Sequence, residues 1–320
     1  MIPTAFLQAW STKAPWPDLR QVEQDLIICR ALCDLFNAPT LAGKIAFRGG
    51  TAIHKLLFKQ PLRYSEDIDL VQAHPEPIGG TVDAIRAALP WLGKCNREQA
   101  GHSMHLVFKF TPEIDAQATL KLKVEINTRE HASLLGVRHY PFAVENDWYR
   151  GAAEIASFEP EELLGTKLCA LLQRRRSRDL FDLHQGIEQL PLDPEKVIAC
   201  FDHYLALEGK PITRAMAEQR MLEKLTRSLT EDVAPMLPAN VRWSDADAIQ
   251  AFEHVWTELI ARIGGDRWKL SDAVIEELRA ERYPALLIGV SEFLCVRHTM
   301  TRRSQYAEQT KGGRPGRRGA

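Results

Sequence analysis

The sequence predicts an α/β (α+β) fold, with strands and helices intermingled over about the first half and helices alone after it. Three observations carry that expectation. Residues 20–37 (RQVEQDLIICRALCDLFN) alternate apolar and polar side chains with a helical period. Residues 103–110 (SMHLVFKF) and 118–127 (ATLKLKVEIN) read as strands. From about residue 160 onward the pattern is helical almost throughout. Strands with helices, then helices alone, suggest separate packed bodies. The expected division is an α/β domain with a leading helix over 1–157, a helical domain over 158–300 and a basic, flexible tail over 301–320.

Each element has a local reason. Residues 44–48 (KIAFR) are short and strand-like, and Gly49–Gly50 break them. Residues 51–58 (TAIHKLLF) suit a short helix, RYSEDIDLVQ a turn into a strand, and 80–92 another helix. In 118–127, Leu120, Leu122, Val124 and Ile126 share one face, while Lys121, Lys123, Glu125 and Asn127 share the other. Pro160 followed by Glu161 and Glu162 suits a helix start, because proline lacks the amide that position leaves unpaired and acids complement the helix dipole. Further helices are expected at 194–207, 212–230, 245–263 and 272–280.

Composition narrows the class. The chain has 320 residues, enough for about two domains, and 45% of them are apolar, which argues against global disorder. The formal net charge is −1, so no overall field announces a polyanionic partner. Charge is nevertheless uneven: Arg174, Arg175, Arg176 and Arg178 form one basic run, and Arg302, Arg303, Lys311, Arg314, Arg317 and Arg318 another. The six cysteines include no CxxC pair, and Cys29 and Cys33 fit a buried helix face better than a zinc set. No apolar run approaches a membrane span and no secretory leader is visible, so a cytoplasmic protein with reduced thiols is expected. The seven tryptophans are scattered and build no stacking array.

The chemistry concentrates in 45–71, IAFRGGTAIHKLLFKQPLRYSEDIDLV. A strand ends at Gly49-Gly50-Thr51, where glycine lets backbone approach a bulky anion and free amides can hold phosphate oxygens. Asp67 and Asp69 are two apart on a strand, so both carboxylates point to one face. Adjacent carboxylates repel unless a cation lies between them, and an oxygen-only set suits Mg²⁺ or Mn²⁺. A pair of such ions roughly 4 Å apart can activate a hydroxyl and neutralise a leaving pyrophosphate. Glu125, on the polar face of its strand, is the candidate third carboxylate, with Asp115 second. Each acid also has a plainer reading: Glu125 can pair with Lys123 or Lys121 across the sheet. His54 and His105 are read as structural, and the spacing of His102 and His105 compels no metal site.

Gly49-Gly50-Thr51 followed by Asp67-Ile68-Asp69 resembles the signature of the DNA polymerase β-type nucleotidyltransferase superfamily. FRGGTAIHKLL, RYSEDIDL and EELLGTKLCALLQRRRSRDLFDL together resemble more narrowly the AbiEii/AbiGii group, which includes the MenT toxins of type IV toxin–antitoxin systems. The resemblance covers about residues 20–260. It implies a mixed-sheet nucleotidyltransferase core with a helical C-terminal domain. It implies metal ligation by Asp67 and Asp69, and triphosphate contacts from Gly50, Thr51 and Ser65 with neighbouring Gly49 and Arg63. It also implies roles for Lys167 and for an acid of RDLFDL, where Asp182 fits best and Asp179 is the alternative. Were 160–184 one helix, Lys167, Arg174, Arg178 and Asp182 would line one side. The plainer reading of Lys167 is a snorkelling helix lysine, and the arginine run is a solvated face or a guide for nucleic acid.

The expected activity is transfer of a nucleoside monophosphate from an NTP to a hydroxyl, with Mg²⁺ or Mn²⁺. By resemblance the acceptor is tRNA, at its 3′ end, with translation blocked and a cognate antitoxin required. Two rivals remain: a protein hydroxyl as acceptor, and an idle binding module that keeps the fold. Ser65, two residues before Asp67, is an expected control point, because a phosphate there would bring about −2 charge to the site.

Overall fold

The computed structural model describes residues 2–115, 117–284 and 286. Helices α1 (Thr4–Trp10) and α2 (Leu19–Asn37) open the chain, and Asp18 caps α2 by accepting from the Arg20 amide. Val22, Leu26, Ile28, Leu32 and Leu35 of α2 are buried and join the core beneath the sheet.

The sheet has seven strands: β1 (Ile45–Arg48), β2 (Asp67–Gln72), β3 (Cys95–Ala100), β4 (Ser103–Phe110), β5 (Leu120–Asn127), β6 (Val137–Glu145) and β7 (Arg150–Phe158). Their order is β3-β4-β5-β2-β1-β7-β6. β1 runs antiparallel to β2, while β1–β7 and β2–β5 are parallel, so the sheet is mixed as expected. Between strands lie α3 (Gly49–Ala52), continued by a π-helical turn over Ile53–Leu57, and α4 (Ile78–Ala88). The central strands bury Phe47, Ile68, Leu70, Leu122, Val124 and Ile126 on the α2 side, which commits the alternate residues to the opposite face. Gln24 of α2 donates to the carbonyls of Glu66 and Lys121 at 3.0 Å each, pinning the entrance of β2 beside β5. The buried Asp25 carboxylate collects the Trp10 and Trp16 indoles and the Lys55 ammonium, tying α1 and the π-helical turn to α2.

Helices follow from Pro160: α5 (Pro160–Gln173), α6 (Arg178–Gln189), α7 (Pro194–Glu208), α8 (Arg214–Lys224), α9 (Asp245–Glu258) and α10 (Ser271–Glu281). The stretch 160–184 is therefore not one helix. Arg174 is extended, with φ −112° and ψ 161°, and α6 restarts after Ser177, whose amide donates to Asp232 at 2.8 Å. Four cations close together in 174–178 repel along a helix, and the Asp232 anchor holds the chain in the turn. Backbone contacts divide the chain into units Met1–Lys269 and Leu270–Ala320. The expected tail over 301–320 lies outside the described residues. Among the described residues no helix is long and apolar enough to cross a membrane.

Candidate active site

Strand register assembles the first part of the site. In the parallel β2–β5 pair, Asp67 lies opposite Lys123 and Asp69 opposite Glu125. β4 sets His105 opposite Glu125, and β1 sets Arg48 opposite Asp69. One row across four strands thus reads His105, Glu125, Asp69, Arg48. The Lys123 ammonium lies 3.1 Å from Asp67 Oδ2 and 3.2 Å from Glu125 Oε2, so it bridges two of the three carboxylates. Glu125 is also 3.4 Å from His105 Nε2. The pairing of Glu125 with Lys123 does form, and it forms in the same cleft as Asp67 and Asp69.

The electrostatics fit a cation at this row. Burial raises the Asp69 carboxyl above its ordinary range, and the charges of Asp67 and Glu125 raise it further. Asp67 is raised by burial, with Lys123 opposing. For Glu125 burial is outweighed by the Lys123 ammonium, and its carboxyl is lowered. The donor set is oxygen-only, and a side-chain cation already occupies the gap between Asp67 and Glu125.

The Gly-Gly turn packs directly on this row. Gly49 has φ +80°, and a Cβ there would sit 2.0 Å from Asp69 Oδ2, so both conformation and space demand glycine. A Cβ on Gly50 would sit 2.7 Å from the Arg63 guanidinium and 3.6 Å from Lys167 Nζ. Thr51 is fully buried: its hydroxyl bonds Ser65 Oγ at 2.7 Å and donates to the Asp67 carbonyl. It therefore fixes the start of β2 and is not a free donor to a phosphate.

Behind the turn lies a buried polar cluster. Lys167 of α5 reaches Asp179 Oδ1 at 2.8 Å and Asp182 Oδ2 at 3.0 Å, both on α6. Arg63 donates Nε and Nη2 to the two Asp182 oxygens at 2.7 and 2.6 Å, and Nη1 to the Tyr64 carbonyl at 2.9 Å. It is 2% exposed, holds Asp182 through this bidentate pair, and also lines the cleft beside Gly50. His54 Nε2 lies 2.9 Å from Asp182 Oδ1, and its Nδ1 accepts from the Leu62 amide at 3.3 Å. That acceptor role puts the proton on Nε2, which donates to Asp182. Burial pushes His54 down to about 4, against the pull of Asp182, so the ring is neutral. Asp182 is itself held well below the carboxylate range, because Arg63 and then Lys167 overcome its burial. Lys167 is raised: Asp179 and Asp182 outweigh burial.

Residues 30–258 match the family described as Nucleotidyl transferase AbiEii toxin, Type IV TA system. The chain belongs to this AbiEii toxin family. It is accordingly a nucleotidyltransferase of the type IV toxin–antitoxin kind, a class that implies an NTP substrate and a cognate antitoxin. The fold is similar to that of MenT4, a nucleotidyltransferase toxin from Mycobacterium tuberculosis H37Rv, with TM-score 0.61 and 14% identity over 92% of this chain and 99% of that one. JHP933 from Helicobacter pylori matches with TM-score 0.46 and 15% identity, over 82% of this chain and 97% of that one. No curated protein matches the chain in sequence.

In this AbiEii chain the two parts meet at a cleft of about 170 Å³, lined among others by Gly49, Gly50, Ser65, Asp67, Asp69, Glu125, Lys167 and Arg178. Arg174 lines this cleft and also a groove of about 870 Å³ whose walls carry Arg175, Lys210, Arg220, Lys224 and Arg227 against the single acid Glu223. Arg176 is exposed and lines neither. Asp115 stands apart: it accepts from its own turn amides, lies 3.6 Å from Arg20 and is not among the cleft residues. Sequence reasoning missed His54 and Arg48 as parts of the site. His54, three residues after Thr51 on the chain, carried only that proximity as a signal.

Proposed function

We propose that this enzyme transfers a nucleoside monophosphate from an NTP to a hydroxyl of RNA, with the 3′ end of tRNA as acceptor and blocked translation as the consequence. The observation that carries the reading is the parallel register of β2 and β5, which sets Glu125 beside Asp69 in a cleft that shares Arg174 with a basic groove. The groove suits a phosphate backbone: five further cations and Arg174 face one acid, in a chain whose net charge is only −1. Asp67, Asp69 and Glu125 would hold Mg²⁺ or Mn²⁺, which supplies charge neutralisation for the departing pyrophosphate and lowers the pKa of the attacking hydroxyl.

The chain's own residues do the rest. Gly49 and Gly50 keep the turn free of side chains, so that a triphosphate can lie against backbone amides. Lys167 meets phosphate charge from within the cleft, oriented by Asp179 and Asp182. Arg63 and His54 hold Asp182 in turn, and act as positioning residues. Ser65 lines the cleft beside Thr51, where added phosphate charge would compete with the NTP. Lys123 must release Asp67 and Glu125 before a divalent ion can take its place. The site of action is the cytoplasm, where NTP and tRNA are available.

Labelled NTPs incubated with total RNA and cell protein, with and without Mg²⁺, test the proposal. Metal-dependent label on small RNA is expected. Label on protein alone would move the acceptor to a protein hydroxyl, and no label with either would favour an idle module.

A further inference from the structure

We infer that His184, Glu188 and His254 form a second metal site, for a zinc-class divalent ion, that clamps α6 to α9. His184 and Glu188 are four residues apart on α6 and so share one helix face, and His254 reaches them from α9. His184 Nδ1 and His254 Nδ1 are 3.1 Å apart, and His254 Nδ1 is 3.2 Å from Glu188 Oε1. All three ligand atoms lie within 4.8 Å of one another, and among the described residues this is the group of histidine, cysteine and acid side chains that converges so closely. Tetrahedral zinc with bonds of about 2.0–2.1 Å separates its ligand atoms by about 3.3 Å, so the observed spacings need only small side-chain shifts.

The donor chemistry separates this site from the carboxylate row. Two imidazoles and one carboxylate suit zinc, with a fourth position left to water, whereas Mg²⁺ favours oxygen ligands alone. Without a metal, two Nδ1 atoms at 3.1 Å can share only one proton, so one ring must donate to the other. A divalent ion uses both lone pairs at once. His184 is 8% exposed and its ring lies beside Trp243, while Glu188 is about half exposed and leaves a path from solvent. The clamp acts on the helix that begins with Asp179 and Asp182, the partners of Lys167. None of this rests on the proposed acceptor.

The test uses the full-length protein, freed of metal by a chelator and then held in excess Mg²⁺ so that oxygen sites are saturated. Co²⁺ is added as a spectroscopic probe, and Zn²⁺ is titrated against a chromophoric indicator. One equivalent of Co²⁺ with the intense visible absorption of a four-coordinate site is expected, together with a rise in melting temperature on Zn²⁺ addition. His254→Gln should lose the band and weaken Zn²⁺ by more than about 100-fold, since a direct ligand matters at least as much as the outer partners. Glu188→Gln, at a half-exposed position, should fold normally and weaken Zn²⁺ by about 10-fold or more. The Asp67→Ala/Asp69→Ala protein should keep the band. Absence of the band in the wild type would leave only a hydrogen-bonded histidine pair and overturn the inference. So would a band retained in both His254→Gln and Glu188→Gln, or one lost with Asp67 and Asp69.

Discussion

Two charged regions lie on either side of the same Gly-Gly turn and are built in opposite ways. The β2–β5 row gathers three acids, of which buried Asp69 is raised further by the charges of Asp67 and Glu125, with one lysine set between those two. The Lys167 cluster balances two cations against two acids around a neutral histidine and is almost sealed from water. A row of like charges is electrostatically frustrated alone and gains from a cation. A balanced buried network needs no ion to neutralise it and loses heavily when one member is removed, even where one of its members, here Lys167, reaches the cleft. The comparison teaches that charge in an active site can serve either to receive an ion or to hold geometry, and burial with partner count tells which.

The largest effect that could break this comparison is on activity. Asp67→Ala or Asp69→Ala should lower nucleotidyl transfer at least about 100- to 1,000-fold, measured as kcat/KM for the NTP, with the fold retained by circular dichroism. Near-wild-type turnover in a folded variant would remove the row from the chemistry.

Next is a stability effect on the other side. Asp182→Asn leaves Arg63 and Lys167 with one shared counter-charge, and should destabilise the protein by about 3–5 kcal/mol in urea or heat. A loss within about 0.5 kcal/mol would mean that the cluster is not the rigid support described.

How much of this was legible in the sequence follows the range of the forces involved. The DID spacing and the two-residue period of β5 placed Asp67, Asp69 and Glu125 on one face, because strand alternation is local. The pairing of β2 with β5 spans over fifty residues and left no local mark, yet it decides that Glu125 and not Asp115 joins the row. Thr51 and Arg63 carried the right motif, but their protein partners were not visible in it. Their groups are satisfied by Ser65, Asp67 and Asp182, and burial cannot be read from a motif. β6 and β7 escaped detection because Pro141 and many exposed polar positions blur their alternation. The break at 174–177 was hidden for a similar reason: Asp232, over fifty residues away, anchors it.

A smaller and pH-dependent effect sharpens the reading of His54. Its folded value of about 4 lies below the unfolded value of about 6.5, so its neutral form is favoured in the native state. That contribution is fully present above pH 6.5 and is lost as pH falls toward 4, a span worth about 3 kcal/mol. His54→Gln, which keeps an N–H for Asp182, should show a shallower fall in urea-unfolding free energy over that window. Equal slopes in wild type and variant would mean that His54 is protonated within the fold.

The most direct test of the contrast is a pair of melting curves for Asp69→Asn and the wild type, each with and without Mg²⁺ plus a non-hydrolysable NTP. If the row awaits a cation, neutralising Asp69 should leave the metal-free melting temperature unchanged or higher and abolish the rise that metal and nucleotide give the wild type. A metal-free melting temperature several degrees lower, with the ligand-induced rise intact, would show that Asp69 supports the fold and that the ion is held elsewhere.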